Sequence, residues 1–189
     1  MKQPILFSTN LLGYAALGTF GFAFICTCLA LGLPYWQYYD ITLGDQQTIS
    51  NHGLWRYCID YIPDTTALID VCGDPVDIAT GSGATDIRAT RAFVIISVIL
   101  EIAGILCTVL VVFVVKFKKN YPFHYAAAVC GVASGFFSML GLAVYVARVR
   151  NDDYDLHAAS ALQILSWLTS WTSSGFIVYM MIIKKQSDE

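Results

Sequence analysis

Residues 11–34 contain no charged side chain, and three more apolar blocks of similar length follow at 92–115, 123–147 and 158–183. Each is about as long as a helix must be to cross the hydrocarbon core of a bilayer, roughly 20 residues. One such block could be the buried helix of a soluble protein. Four of them in 189 residues leave too little chain to build a soluble domain. Composition agrees, with 13% of residues charged against about 25% in a typical soluble domain. The first block is long for a cleaved signal peptide and has no small-x-small site before the polar segment, so it reads as a retained signal-anchor helix. The expected architecture is therefore a single membrane domain of four spans.

Four spans place both ends of the chain on one side. Lys2, Lys116, Lys118, Lys119, Lys184 and Lys185 fall on that side, and Arg56, Arg88, Arg91, Arg148 and Arg150 on the other. Six against five is a narrow margin for a rule that counts Lys and Arg alone. The tight lysine cluster in the connection at 116–122 favours a cytoplasmic side, with the tail at 184–189 on the same side. The outer segments are then 35–91 and 148–157. Cysteine usage points the same way. Cys26, Cys28, Cys107 and Cys130 lie in spans, where they read as small buried apolar residues. Cys58 and Cys72 are the only two in a loop, and in an extracytoplasmic loop a disulfide between them is expected. The alternative is two unrelated free thiols. A zinc site would need further ligands, and His52 is the only histidine in that loop.

The long loop at 35–91 does not read as disordered. Residues 35–43 are aromatic and partly alternating, as strands are, and Gly44-Asp45 suits a hairpin turn. Residues 54–62 and 67–72 are two more strand candidates, separated by the break at Pro63-Asp64. The stretch 51–58 is taken as part of a strand. Gly73-Asp74-Pro75 reads as a turn, and Thr85-Asp86 as the cap of a helix entering the second span.

Trp36, then Gly53-Leu54-Trp55, then Cys58 and Cys72, in the first outer loop of a four-span chain, form a pattern similar to the claudin superfamily. That group includes claudins, the peripheral myelin and epithelial membrane proteins, and the gamma-type (TARP-like) auxiliary subunits of calcium channels and glutamate receptors. Arg91, at the outer end of the second span, matches the family arginine at that boundary. The resemblance implies a left-handed four-helix transmembrane bundle carrying an extracellular antiparallel β-sheet of about five strands. It implies no enzymatic activity. It implies a plasma-membrane protein that oligomerises or adheres at cell–cell contacts, as a barrier or a cation-favouring pore, or alternatively one that binds and modulates an ion channel or receptor. The chain departs from claudins in a wider cysteine spacing and in a second outer loop without their aromatic-proline pattern. It also lacks a Tyr-Val terminus for a PDZ scaffold and cysteines flanking the second and fourth spans for palmitoylation. A divergent or invertebrate member fits these departures.

Other residues stand out for their chemistry. Eight acids against three arginines in the first outer loop would attract cations if they faced a pore. Asp64, Asp70, Asp74 and Asp77 are the candidates, because they crowd around the second cysteine. They read equally as a solvated acidic surface or as a dock for a basic partner. Trp36 and Trp55 read as anchors at headgroup level. Glu101 is the one acid deep in a span. A charge there is costly in lipid, so it should face another helix, with Ser166, Thr169 or Ser173 as partners, or reach a polar group on a partner protein. His52, His124 and His157 are isolated, and there is no phosphate loop or nucleophile motif. No cofactor, metal or nucleic acid is expected, and the partners are the lipid bilayer and either further copies of the chain or a channel or receptor subunit.

Overall fold

The computed structural model describes residues 3–43, 46–62, 69–78, 83–114, 121–149 and 155–188. In chain order the elements are helix α1 (Gln3–Gly32), strands β1 (Gln37–Leu43), β2 (Gln46–His52), β3 (Tyr57–Ile62) and β4 (Ile69–Gly73), and the one-turn helix α2 (Pro75–Ile78). Then come α3 (Gly83–Phe113), α4 (Tyr121–Val144), strand β5 (Asp155–Leu156) and α5 (Ala158–Asp188). A π-helical turn, Tyr145–Val149, extends α4.

The four long helices close into a ring, in which α1 and α4 each pack against both α3 and α5. Lipid supplies no hydrophobic driving force between helices, so such contacts depend on small residues and interhelical hydrogen bonds. Both are present. The Phe20 ring of α1 is fully buried and lies where a side chain on Gly104 of α3 or Gly131 of α4 would stand. Hydroxyls link every adjacent pair. Thr19 and Ser173 join α1 to α5 at 2.6 Å, and Thr27 donates from α1 to Glu101 of α3 at 3.0 Å. Ser97 of α3 donates to the Ser134 carbonyl of α4 at 3.0 Å. Gln163 of α5 donates to Ser138 of α4 at 2.6 Å.

Among the described residues three helical stretches are long and apolar enough to cross a membrane, Asn10–Gly32, Gly83–Phe113 and Tyr121–Ala147. Helix α5 is as long as α3 but is not one of them. Its first half carries Ser160, Gln163, Ser166, Ser170, Ser173 and Ser174, which lower its hydropathy. All of them are buried against the other helices, while Ile164, Leu165, Leu168 and Val178 face outward. Over its first half α5 is thus polar toward the bundle and apolar outward, while farther along it buries Ile177, Met180 and Met181. Of the span cysteines, Cys26 is buried but Cys28 is exposed, contrary to the expectation that all are buried. Two positions apart on a helix point to nearly opposite faces.

The five strands form one antiparallel sheet in the order β4-β3-β2-β1-β5. Four features differ from the sequence reading. β2 is the central strand, although Gln-Gln-Thr-Ile-Ser-Asn-His has little strand character. It is held by ladders on both sides, Gln37↔His52 through Leu43↔Gln46 with β1 and His52↔Tyr57 through Gln47↔Ile62 with β3. Residues 51–58 are not one strand. Asn51-His52 ends β2, Gly53–Arg56 turns, and Tyr57-Cys58 opens β3. The first strand begins at Gln37 rather than at residue 35, where the backbone is engaged by the start of α5 and the residue before it: Ala159 N–H donates to the Tyr35 carbonyl and His157 N–H to that of Trp36. The turn at Gly44-Asp45, the break at residues 63–66 and residues 150–154 of the second outer segment lie outside the described residues. Helix α3 starts at Gly83, two positions before Thr85.

Candidate functional site at the seam between sheet and bundle

A sheet above a membrane bundle needs a rigid joint, and the signature residues build it. Trp36 is 0% exposed. Its indole N–H donates to the Ala30 carbonyl at the end of α1, at 2.6 Å, and its ring meets Tyr145 at 4.7 Å. Leu54, Val94 and Ala159 complete the same buried cluster. The Trp36 carbonyl receives the Ser160 hydroxyl at 2.9 Å. The expectation of a headgroup anchor does not hold for Trp36. It is the core of the joint, enclosed by α1, α3, α5 and the turn after α4.

The Gly53–Arg56 turn is closed by the Gly53 N–H on the Arg56 carbonyl at 2.8 Å. A Cβ on Gly53 would collide with the backbone of Pro34 and Leu33, so only glycine lets the turn approach the end of the first span. This places Leu54 inward and Trp55 outward, 45% exposed.

Arg91 on α3 then fastens the turn. Its Nε donates to the Leu54 carbonyl at 2.7 Å, and its guanidinium stands 4.3 Å over the Trp55 ring. One terminal nitrogen pairs with Asp74 Oδ1 at 2.5 Å. The same Asp74 oxygen accepts the Val76 N–H at 2.9 Å, capping α2 in the manner typical of Asp at a helix start. One guanidinium therefore holds a turn, an aromatic ring and a capped helix. Asp74, grouped by sequence with the outward acids, is committed to this joint.

The joint carries a pH signature. Its hydrogen bond from Arg91, helped by the Val76 N–H, holds the Asp74 carboxyl below the usual carboxylate range. Burial pushes His52, beside the same turn, below its ordinary value of 6.5. Both shifts favour the deprotonated form in the fold, so both contributions are complete above the unfolded pKa and are lost as pH falls through the folded one. Thermal unfolding in detergent is expected to weaken in two steps on acidification, below about 6.5 for His52 and below about 4 for Asp74. His52→Gln should remove the first and Asp74→Asn the second. A single step unchanged in both variants would contradict this.

Cys58 and Cys72 are bonded as a disulfide and lie directly opposite in the register of β3 and β4. Asp60 and Asp70 are opposite one another on the same pair of strands, and Asp77 is exposed on α2. Asp64 lies outside the described residues. The four candidate acids are thus distributed over a strand, a helix cap, a helix and an undescribed connection. No cluster of His, Cys, Asp or Glu able to hold a metal occurs among the described residues.

Glu101 is 0% exposed. Its Oε1 accepts from Thr27 at 3.0 Å, Ser166 at 3.1 Å and Ser170 at 3.2 Å, and Thr27 and Ser166 bond each other at 2.5 Å. Of the partners expected from sequence, Ser166 is present. Ser173 pairs with Thr19 instead, and Thr169 bonds backbone carbonyls of its own helix. Thr27 had no signal in the sequence, since it lies 74 positions from Glu101. An interhelical hydrogen bond in a membrane is worth about 0.6 kcal/mol, so Glu101→Leu is expected to cost about 2 kcal/mol. Glu101→Gln keeps the Oε1 acceptor and should cost much less. Thermal unfolding of the two variants checks this, and equal losses would mean that charge, not the acceptor, holds the cluster.

The Arg91–Asp74 pairing also went unseen in the sequence. The available signal was Asp before Pro-x-Asp, which marks a helix start and so a fixed carboxylate. The molecule thus combines a disulfide-bonded sheet, a Trp-Gly-Leu-Trp joint, a basic residue at the helix boundary and apolar helices of membrane-spanning length. No individual curated protein matches the chain. The family model of the PMP-22/EMP/MP20/Claudin family matches residues 10–183. The chain belongs to that family, and is a multi-span helical membrane protein with an extracellular antiparallel sheet and not an enzyme.

Proposed function

We propose that this protein is a claudin-type structural component of the plasma membrane that associates side by side and adheres at cell–cell contacts. In this reading α5 is the fourth span, the bundle is left-handed, and both ends of the chain are cytoplasmic. The observation that carries it is the outer edge of the sheet. β4 pairs only with β3 among the described residues, and Val71 on it is 51% exposed. An uncovered edge strand with an apolar side chain is a template for association with another chain. The joint at Arg91 makes the sheet a rigid platform, so lateral contacts would fix the relative orientation of neighbouring bundles. Acids at Asp64, Asp70 and Asp77 would give an assembled pore a preference for cations.

The test is Val71→Lys in the full-length protein at the cell surface. Self-crosslinking and enrichment at cell contacts should both drop, with surface delivery unchanged. A wild-type chain that shows no self-association and co-purifies stoichiometrically with a channel or receptor would sink this reading and install the auxiliary-subunit one.

A further inference from the structure

Between α4 and α5 runs a groove of about 650 Å³. On α4 it is lined by Tyr121, Val129, Val132 and Phe136, and on α5 by Ile182 and Lys185, among others. Val129, Val132, Phe136 and Ile182 are exposed, so the groove opens on the lipid side of the bundle. Its polarity is lopsided. Lys185 and Tyr121 stand at one end, and a second ammonium, that of Lys184, lies 4.9 Å over the Tyr121 ring. The remaining lining is almost wholly apolar. Further along α5, Trp171 draws the two helices together, with its ring where a Gly135 side chain would stand and its N–H on the Val132 carbonyl at 3.2 Å.

We propose that this groove binds an anionic phospholipid, with an acyl chain along Val129, Val132 and Phe136 and the phosphate at Lys185. Length supports this. From Tyr121 to Phe136 a helix rises about 22 Å at 1.5 Å per residue, enough for the roughly 15 Å of one leaflet's hydrocarbon plus its headgroup region. Charge complementarity favours this occupant. The groove joins a lysine at one end to an apolar floor, a pattern that a phosphate with its acyl chain complements and an apolar partner helix does not. The spans of a second copy carry no acid but Glu101, which is enclosed in the bundle. The topology proposed above puts the mouth at the cytoplasmic leaflet, where anionic lipids concentrate, but the groove's chemistry does not depend on contact between cells.

Native mass spectrometry of the full-length chain in detergent, with equimolar dioleoylphosphatidylserine and dioleoylphosphatidylcholine, tests it. One phosphatidylserine should be retained in clear preference. Lys185→Gln should lower that preference about fivefold, the effect of one lysine near an anionic surface. Val132→Trp, which fills the groove without changing charge, should lose both lipids while thermal unfolding stays as in the wild type. If the tryptophan variant does not fold, the exposed Lys185→Gln change still decides. Equal retention of the two lipids by the wild type overturns the proposal, as does a preference unchanged in Lys185→Gln. Photo-crosslinking from position 129 in cell membranes that yields a protein adduct and no lipid adduct overturns it in favour of a partner helix. Loss of self-association in Val71→Lys leaves all of these outcomes unaffected.

Discussion

Arg91→Ala is expected to lower stability by about 3 kcal/mol and to loosen the sheet from the bundle. The variant loses a charge-assisted hydrogen bond to the Leu54 carbonyl, worth about 1.5–3 kcal/mol, and a partly exposed cation–π contact with Trp55, worth roughly 0.5–1 kcal/mol. The ion pair adds less, because the Asp74 side chain is 42% exposed and solvent screens it. Arg91→Lys should recover little. A single ammonium cannot reach the Leu54 carbonyl through an Nε–H, pair with Asp74 and lie flat on an indole at once. Thermal unfolding in detergent measures the loss, and limited proteolysis within the first outer loop reports where it occurs. A proteolysis pattern identical to wild type would show that Arg91 stabilises α3 alone and does not fasten the sheet.

What the sequence made legible follows from which forces are local. The apolar blocks are visible because lipid imposes the same demand on every residue of a span, and Glu101 is visible as the exception to it. Helix α5 shows the limit of that logic. Its serines are satisfied by helices far away in the chain, so only the assembled ring reveals which side of α5 is polar. The strands divide in the same way. β1 and β3 carry aromatic and branched residues and announce themselves. β2 is polar, and it is a strand only because two neighbours pair with it. β5 is two residues long and exists through its pairing with Gln37 and Tyr38. The joint was half legible. Trp36, Gly53, Leu54, Trp55 and Arg91 are recognisable as a set, but their convergence on Asp74 depends on a turn and a one-turn helix that bring a residue 17 positions away under the guanidinium.

The second large effect concerns the disulfide. Replacing both cysteines, Cys58→Ser with Cys72→Ser, is expected to cost about 3 kcal/mol, the loop-closure value for a cross-link of this span. The consequence should not stop at the strands. β4 is an edge strand of five residues, and the chain passes from Gly73 straight into Asp74. Cys72 is therefore two positions from the carboxylate that Arg91 holds. Without the bridge the ladder from Tyr57↔Gly73 to Tyr61↔Ile69 must alone position that carboxylate. Groups that share a partner do not behave additively, so Arg91→Ala should cost less in the bridgeless background than in the wild type. A double-mutant cycle on thermal unfolding, with surface biotinylation to follow delivery, reads this directly. Strict additivity would mean that disulfide and guanidinium hold separate parts of the outer domain. Both thiols found free in mature protein by non-reducing mass spectrometry would remove the basis of the cycle altogether. Coupling of the expected sign would make the disulfide the far anchor of the same joint whose near anchor is Arg91.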